Sequence, residues 1–295
     1  VKRVPFIKVS DKNIIKIREQ FAEIERGQLE EMKAKFNPEI RDTIIAGVHT
    51  YIITPQHIKP ENKDKIIIYI HGGGFVMGSA TDRTGMLMAN ELGIKTYAID
   101  YSLAPEAPFP VAMEECLSVY KHLIENYNPT NIVGVSTSAG SAHMVAMLLK
   151  AKEQHLPMIS AISLLSPSVD LSGEGDAIVA NEGRDILSYK NQQKKYFYRP
   201  FLGSENPKNP YVSPVYATYS KDFPATSIVT GTRDLLLSGS VRLYWKLKNA
   251  GVRTELVVSE GMWHAYTNFP DIPEAVEARR VSQEFLIHSL EKNNE

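Results

Sequence analysis

The sequence is poor in cysteine, since Cys116 is the only one among its 295 residues. A single thiol cannot form an intrachain disulfide, so the fold does not rely on such a cross-link. Chains without disulfides are typical of reducing compartments, and we expect a cytoplasmic protein in which Cys116 is buried and inert. No signal-peptide core follows the N-terminus, but the missing initiator methionine leaves the removal of a signal sequence open.

Long apolar runs and an excess of one charge are missing as well. No stretch approaches the ~18 uninterrupted apolar residues that span a bilayer, so we expect no membrane span. The formal net charge is −1, with 33 Lys and Arg against 34 Asp and Glu. This balance favours neither a nucleic acid nor an anionic membrane as a partner. The patterns H-E-x-x-H, paired C-x-x-C and acidic metal loops are absent from the sequence, and we expect no metal and no other cofactor.

The chain does contain a regular alternation of strand and helix patterns. Short, nearly continuous apolar runs stand at residues 66–70, 96–99, 132–135, 161–165, 226–229 and 256–258. Helical patterns separate some of these runs, at residues 113–126, 139–154 and 239–250. Continuous apolar strands are typical of a sheet buried on both faces, and the alternation predicts an α/β fold with a mostly parallel central sheet flanked by helices. Such sheets place their chemistry at the carboxyl ends of the strands.

Two segments do not follow this alternation. Apolar residues recur every three or four positions in residues 14–24, which predicts an amphipathic helix. Residues 172–222 separate two predicted strands and are too long for an ordinary connection, so we interpret them as an insertion that packs over the strand ends. The basic and aromatic run at residues 194–199 is a weak nucleic-acid signal, because its charge is local and the whole chain is balanced.

The first chemical motif is a serine between a strand and a helix. Ser138 follows the apolar run 132–135 and is itself followed by Ala139 and Gly140. Small residues are needed around a nucleophile on such a strained turn, because the strand and the helix nearly touch. The pattern G-x-S-x-G is modified here, since Ser136 stands at the first glycine position. Ser136 is therefore the alternative nucleophile, and we favour Ser138.

The second motif is a glycine loop that directly follows the apolar run 66–70. His71 is followed by Gly72, Gly73 and Gly74. Consecutive glycines leave backbone N–H groups free to point into a cavity, and such donors can stabilise an oxyanion. We expect Gly73, Gly74 and Ala139 to supply the oxyanion hole. His71 and Gly72 then form the supporting loop, with the His71 ring bracing it through hydrogen bonds.

A serine nucleophile also needs a base and a group that orients the base. Asp234 follows the apolar run 226–229 closely, and His264 follows the last predicted strand. We therefore expect Asp234 as the acid and His264 as the base. Phe75, Trp263 and Tyr266 are candidates for the substrate pocket, and Trp263 and Tyr266 fit packing alone equally well.

These motifs together give the chain a resemblance to the hormone-sensitive-lipase-like esterases of the α/β-hydrolase fold. Residues 71–75 match that family's H-G-G-G-F loop, and residues 100–110 match its D-Y-R-L-A-P-E-x-x-F-P signature except for Ser102 in place of Arg. Residues 137–140 match its elbow apart from the departure at Ser136. The order of Ser138, Asp234 and His264 along the chain is also that of the α/β-hydrolases.

The resemblance implies an α/β-hydrolase fold with a helical cap. Residues 1–43 stand where the family has the N-terminal helical part of the cap, and residues 172–222 where it has the cap insertion. Residues 44–171 and 223–295 then form the catalytic domain. Members of the family typically hydrolyse esters of short acyl chains and use no cofactor, so the implied partner is a small-molecule ester.

We expect a carboxylester hydrolase that uses a Ser-Asp-His triad and a glycine oxyanion loop. Amide or formamide hydrolysis by the same triad stays open, because the sequence does not separate the two reactions. A non-catalytic receptor on this fold is the third alternative, and the presence of His264 argues against it. The oligomeric state is also open, with a homodimer as one alternative.

Overall fold

Eight strands form one sheet in the computed structural model, which describes residues 14–189 and 197–292. In chain order they are β1 (Glu39–Ile45), β2 (Val48–Thr54), β3 (Ile66–Ile70), β4 (Lys95–Ile99), β5 (Ile132–Thr137), β6 (Ala161–Leu165), β7 (Ala225–Gly231) and β8 (Thr254–Ser259). Their order across the sheet is β1-β2-β4-β3-β5-β6-β7-β8. Strand β2 is antiparallel to β1 and β4, and all other pairs are parallel. The predicted mostly parallel sheet is confirmed.

Helices cover both faces of this sheet. They are α1 (Ile14–Phe36), α2 (Arg83–Leu92), α3 (Val111–Asn126), α4 (Ala139–Glu153), α5 (Ala177–Ala180), α6 (Arg199–Leu202), α7 (Leu237–Asn249) and α8 (Pro273–Lys292). Residues of α3, α4 and α7 share one apolar core with the sheet, and residues of α2 and α8 share the other. Burial on both faces explains the continuous apolar runs, because every residue of β3, β5 and β6 is buried.

The sheet begins with a hairpin that the sequence patterns did not predict. Ala46 and Gly47 join β1 to β2, and both have positive φ, at 50° and 83°. Two central residues with positive φ are the geometry of the tight turn that suits the twist of paired strands. Strand β1 therefore starts inside the range 1–43 that the sequence assigned to the cap.

A third apolar cluster joins the N-terminal helix and the insertion to the catalytic loops. We call it the cap cluster, and its buried members are Ile14, Ile17, Phe75, Val76, Ala104, Ala139, Ala142, Leu171, Phe197, Tyr198, Phe201 and Val212. They come from α1, from the loops after β3, β4 and β6, from the first turns of α4 and from the insertion 172–222. Residues 1–13, 190–196 and 293–295 lie outside the described residues, and with them the first half of the basic, aromatic run 194–199.

Candidate active site

Ser138 stands on a sharp turn between the end of β5 and the start of α4. Its backbone has φ 52° and ψ −119°, which is a sparsely populated conformation for a residue with a side chain. The turn brings α4 so close to β3 that a Cβ atom on Gly140 would lie 2.3 Å from the carbonyl oxygen of Ile70. Only glycine fits there, because real Cβ atoms do not approach backbone oxygens so closely. The side chain of Ser138 is half-buried and those around it are buried.

The other candidate serine lies in the strand before this turn. Ser136 lies within β5 and is fully buried. Its Oγ donates a hydrogen bond to Ser141 Oγ at 3.1 Å, on the first turn of α4. Its hydroxyl therefore helps hold the strand to the helix, whereas Ser138 Oγ is the one that meets an imidazole.

His264 and Asp234 line up behind Ser138. His264 Nε2 lies 2.9 Å from Ser138 Oγ, and His264 Nδ1 lies 3.1 Å from Asp234 Oδ1. Asp234 is fully buried and also accepts hydrogen bonds from the backbone N–H of Leu236, at 2.9 Å, and from Thr230 Oγ1, at 3.1 Å. The three side chains thus form one continuous hydrogen-bonded line from the loops after β5, β7 and β8.

The charges in this line favour a proton on the imidazole. Burial alone lowers the pKa of His264, but the carboxylates of Asp234 and Asp185 outweigh it and raise that pKa above its ordinary 6.5. Burial alone likewise raises the pKa of Asp234. The charge and hydrogen bond of His264, the Leu236 N–H and the Ser166 hydroxyl together lower this pKa below its ordinary value. Asp234 can therefore stay ionised and stabilise an imidazolium at His264.

The glycine loop after β3 lies directly against the elbow. A Cβ atom on Gly72 would sit 3.2 Å from Ser138 Cβ, so the loop and the serine are in contact distance. Gly73 and Gly74 have positive φ, at 114° and 63°. The backbone N–H groups of Gly73, Gly74 and Ala139 donate no hydrogen bond to any described residue. They are therefore free to meet a ligand beside Ser138.

His71 lies beneath this loop and is not in hydrogen-bond contact with Ser138. Its ring is buried and stacks on Tyr101, with centroids 4.2 Å apart, and its Nδ1 lies 2.7 Å from the carbonyl oxygen of Gly72. Burial lowers the pKa of His71, against the opposing effect of Asp100. The Nδ1–H of a neutral ring donates to Gly72, and the bracing role of His71 stays a prediction.

The three candidate pocket residues lie in different surroundings. Phe75 is buried in the cap cluster and stacks on Phe201 at 4.1 Å. Tyr266 is fully buried in the core shared with α2 and α8, and its hydroxyl pairs with Ser259 Oγ at 2.6 Å. Trp263 is half-buried and packs edge-on against Phe269 at 5.9 Å. Tyr266 thus packs in the core and is not part of the proposed pocket.

Two polar residues of the insertion reach the loops of Asp234 and His264, and sequence reasoning missed both. Asp185 accepts hydrogen bonds from the backbone N–H groups of His264 and Leu235, at 2.9 and 2.8 Å. Asn181 donates to the carbonyl oxygens of Thr232 and Asp234, at 3.2 and 3.0 Å. No motif marks either residue, because their partners are backbone groups on distant loops.

No helix among residues 14–189 and 197–292 is long and apolar enough to cross a membrane. Within the same ranges, no group of three or more His, Cys, Asp or Glu side chains could hold a metal ion.

Comparisons with known sequences find a family model and several relatives. A family model described as the alpha/beta hydrolase fold matches residues 67–268. An esterase of Acinetobacter venetianus is 28% identical over 251 residues, which cover 84% of this chain and 81% of that protein. An acetyl-hydrolase of Streptomyces hygroscopicus is 27% identical over 238 residues, which cover 79% of each chain.

Comparisons with solved structures give the same result. The crystal structure of esterase E25 superposes with a TM-score of 0.90 at 27% identity, covering 97% of this chain and 88% of that one. An esterase from the bacterial hormone-sensitive lipase family superposes with a TM-score of 0.81 at 28% identity, covering 95% of this chain and 97% of that one.

Proposed function

We propose that this chain, which belongs to the α/β-hydrolase family and to its hormone-sensitive-lipase-like esterases, cleaves small esters of short acyl chains with Ser138 as its nucleophile. It is a carboxylesterase, as its relatives named esterase and acetyl-hydrolase indicate. The observation that carries the proposed triad is the line from Ser138 Oγ through the His264 ring to Asp234, with separations of 2.9 and 3.1 Å.

The proposed reaction has two halves. In the first, His264 Nε2 takes the proton of Ser138 as Oγ bonds to the ester carbonyl carbon. The tetrahedral intermediate then collapses, the bond to the alcohol oxygen breaks, and His264 returns the proton to the leaving alcohol. In the second half, His264 deprotonates a water molecule that attacks the acyl-enzyme, and the carboxylic acid leaves as Ser138 regains its proton. Asp234 holds the imidazole and stabilises its positive charge throughout.

Negative charge develops on the carbonyl oxygen in both halves, and the proposed oxyanion hole meets it. None of the N–H groups of Gly73, Gly74 and Ala139 donates to a described residue, and we propose that they point to the position beside Ser138. Fixed donors aimed at a developing charge are worth much more in a site sheltered from water than in water itself. We expect these three N–H groups to supply the stabilisation, with His71 and Gly72 holding the loop in place.

The contacts of the proposed cap favour a substrate with a short acyl chain. Helix α1 and the insertion 172–222 meet the glycine loop and the elbow in the cap cluster. Phe197 lies so close to Gly74 that a Cβ atom there would be 2.8 Å from its ring. Bulky side chains at this distance from the proposed oxyanion hole leave little room for a long chain. We therefore propose acyl chains of about two to six carbons, with Phe75 and Trp263 at the edge of the pocket. The cytoplasmic location and the homodimer stay predictions.

The test is an ester series on the intact chain and two serine variants. We expect the wild type to cleave p-nitrophenyl acetate and butyrate well and the palmitate poorly. Ser138→Ala should lose about 10⁶-fold in kcat, because the nucleophile is gone. Ser136→Ala is the matched control and should keep most of its activity. A dead Ser136→Ala beside an active Ser138→Ala would overturn the assignment.

An acyl anilide run alongside measures the amide alternative, which gains support only if the anilide is cleaved as fast as the esters.

A further inference from the structure

Asp185 is a carboxylate that the proposed reaction does not use, yet it meets both loops of the proposed acid and base. Its Oδ1 accepts from the N–H of His264 at 2.9 Å, and its Oδ2 accepts from the N–H of Leu235 at 2.8 Å. Leu235 directly follows Asp234. One carboxylate therefore spans the backbone of the base and the residue beside the acid, two positions that lie at the ends of different strands.

Asn181 adds a second pair of bonds to the same loop. It is buried, and its Nδ2 donates to the carbonyl oxygens of Thr232 and Asp234. The backbone N–H of Asp185 donates to the carbonyl oxygen of Asn181 at 3.2 Å, so the two side chains leave one tight turn of the insertion. Together they bind one N–H and two carbonyl groups of residues 232–235, which we call the acid loop, and the N–H of His264. We call this pair the Asn181–Asp185 clamp.

The clamp fixes the orientation of the backbone beside Asp234. The C=O of Asp234 and the N–H of Leu235 belong to one planar trans peptide group and point in opposite directions. Asn181 and Asp185 therefore bind the two sides of that peptide group and hold it in one orientation. Two of the four bonds are accepted by the carboxylate of Asp185, and charge-assisted hydrogen bonds are about twice as strong as neutral ones. A loop fixed in this way also fixes the direction of the Asp234 side chain toward His264.

Charge gives the clamp a second effect on the base. The carboxylates that raise the pKa of His264 are Asp234, from the loop after β7, and Asp185, from the insertion. The third polar group on its ring is the hydroxyl of Ser138, from the elbow. Asp185 itself feels burial and the charge of Asp234, which raise its pKa, while His264 and the two N–H donors oppose that rise.

We propose that the Asn181–Asp185 clamp positions the catalytic acid and base, so that the insertion is part of the assembly of the active site as well as its cover. This inference rests on the proposed triad of Ser138, Asp234 and His264. Neither clamp residue touches the reacting atoms, and each acts through the loops it holds. Displacement of a reacting group by about 1 Å can cost 10²-fold in rate, so the effect belongs to kcat more than to KM.

The first variant is Asp185→Asn, which keeps the shape but removes the charge and turns one acceptor into a donor. We expect kcat for p-nitrophenyl butyrate to fall about 10- to 100-fold with KM nearly unchanged. We also expect the acidic limb of the kcat/KM profile to move to lower pH, because the His264 imidazolium loses a neighbouring negative charge. Asp176→Asn is the matched control, since Asp176 is in the same insertion but accepts from Ser238 Oγ, on α7.

The second variant, Asn181→Ala, separates position from charge. It removes two hydrogen bonds from the acid loop and no charge, so kcat should fall while the acidic limb stays at the wild-type pH. Thermal melts of every variant measure folding, and where Asp185→Asn does not fold, Asn181→Ala decides. A residue that merely supports the insertion would lower the melting temperature and leave kcat per folded molecule unchanged.

Wild-type kcat in a folded Asp185→Asn or Asn181→Ala variant overturns the clamp. So does an Asp185→Asn profile whose acidic limb has not moved. Ser138→Ala runs beside them, because the two proposals can fail separately. An active Ser138→Ala removes the triad and the clamp with it, whereas an inactive Ser138→Ala beside wild-type clamp variants removes the clamp alone.

Discussion

The strained backbone at Ser138 is held by hydrogen bonds from three sides. A residue in such a conformation costs about 1–3 kcal/mol, which the surroundings must offset. Its N–H donates to Leu165 on β6 at 2.9 Å, and its carbonyl oxygen accepts from Ser141 at 3.0 Å and from Ser168 at 2.9 Å. The strain therefore persists because the neighbouring strand, the helix and the loop after β6 over-determine it. The consequence is a hydroxyl that protrudes toward His264 instead of lying in the sheet.

Loss of the base or the acid should be severe and unequal. We expect His264→Ala to lose about 10⁶-fold in kcat and Asp234→Asn about 10⁴-fold, since only the histidine transfers the proton.

The raised pKa of His264 places the acidic limb of kcat/KM above 6.5, with activity lost as the pH falls through it. Steady-state rates from pH 5 to 9 measure both effects. His122→Ala is the control, on the exposed face of α3. Near-normal activity of His264→Ala would remove it from the triad.

Residues that act through side-chain chemistry could be predicted from the sequence, and residues that act through backbone contacts could not. Ser138, Asp234 and His264 each follow an apolar run at the place where parallel strands end, and the sequence therefore predicts their meeting. Asn181 and Asp185 bind carbonyls and N–H groups, which every residue has, so no pattern distinguishes their targets. The burial of Tyr266 could not be predicted from the sequence either, because an aromatic residue near the proposed base can line a pocket or pack in the core.

The elbow depends on how closely α4 crosses β3. The carbonyl oxygens of Ile70 and His71 lie at the end of β3, and Gly140 on the first turn of α4 rests on them. Ser136 on β5 and Ser141 on α4 add a hydrogen bond at the same crossing. A small residue at position 136 is enough there, which explains why serine can stand where the G-x-S-x-G pattern has glycine. Gly140 has no such freedom.

Gly140→Ala should therefore damage both the fold and the reaction. Its Cβ would lie 2.3 and 2.4 Å from the two carbonyl oxygens, and these belong to backbone that cannot move aside cheaply. Overpacking of this kind costs about 1–3 kcal/mol, and the shift of α4 would move Ser138 away from His264. Thermal melts and ester kinetics measure the two losses.

Gly27→Ala is the matched control for that change. Gly27 lies in α1 with nothing within 4 Å of an added Cβ, so alanine should stabilise the helix by up to about 1 kcal/mol. Equal behaviour of the two alanine variants would show that the crossing tolerates a methyl group and that the close-contact account is wrong.

Among the elements, buried strands were the easiest to predict. The runs at residues 66–70 and 161–165 coincide with β3 and β6, because both faces of these strands are covered. The edge strand β1 was missed, since most of its residues are exposed or half-exposed and its apolar signal is weak. Helix α8 was missed as well. Its inner face carries the fully buried Arg279, which pairs with Glu91 and donates to carbonyls of the preceding loop.

At the scale of the whole molecule, the N-terminal helix is tied to the catalytic face by one arginine. Arg18 on α1 donates to the carbonyl oxygens of Val76 and Ala104, both at 2.7 Å, and pairs with Glu106 through two bonds. Val76 follows the glycine loop, and Ala104 and Glu106 belong to the segment 100–110. The helix therefore holds together two segments of the site that are distant in sequence, which supports its proposed place in the cap.

The same helix carries an acidic side chain toward other acids. Glu25 is half-buried, and burial together with the charges of Asp82 and Asp100 raises its pKa to about 8, against a hydrogen bond from the Ser79 backbone. Asp82 caps α2 and accepts from Tyr69 at 2.8 Å, and its own burial raises its pKa to about 6. The docking of α1 therefore depends on a proton that the folded chain binds more tightly than the unfolded chain.

The sign of this dependence follows from linkage. Below the ordinary pKa of 4.5, Glu25 is protonated in both states and contributes no pH dependence. Between 4.5 and about 8 the folded state keeps a proton that the unfolded state has released. Stability falls with pH wherever the folded state binds more protons, so the wild type should lose stability as the pH rises through this window. Above about 8 both states are ionised and the loss is complete.

Glu25→Gln should remove that loss, because an amide keeps the shape and never ionises. We expect the variant to melt several degrees above the wild type at pH 8 and at nearly the same temperature at pH 4.5, near the ordinary pKa of glutamate. Glu23→Gln is the matched control on the exposed face of the same helix and should follow the wild type at every pH. Thermal melts of the three proteins from pH 4.5 to 9 at one salt concentration measure the difference. Superimposable curves for Glu25→Gln and the wild type at pH 8 would show that Glu25 holds no proton in the folded state.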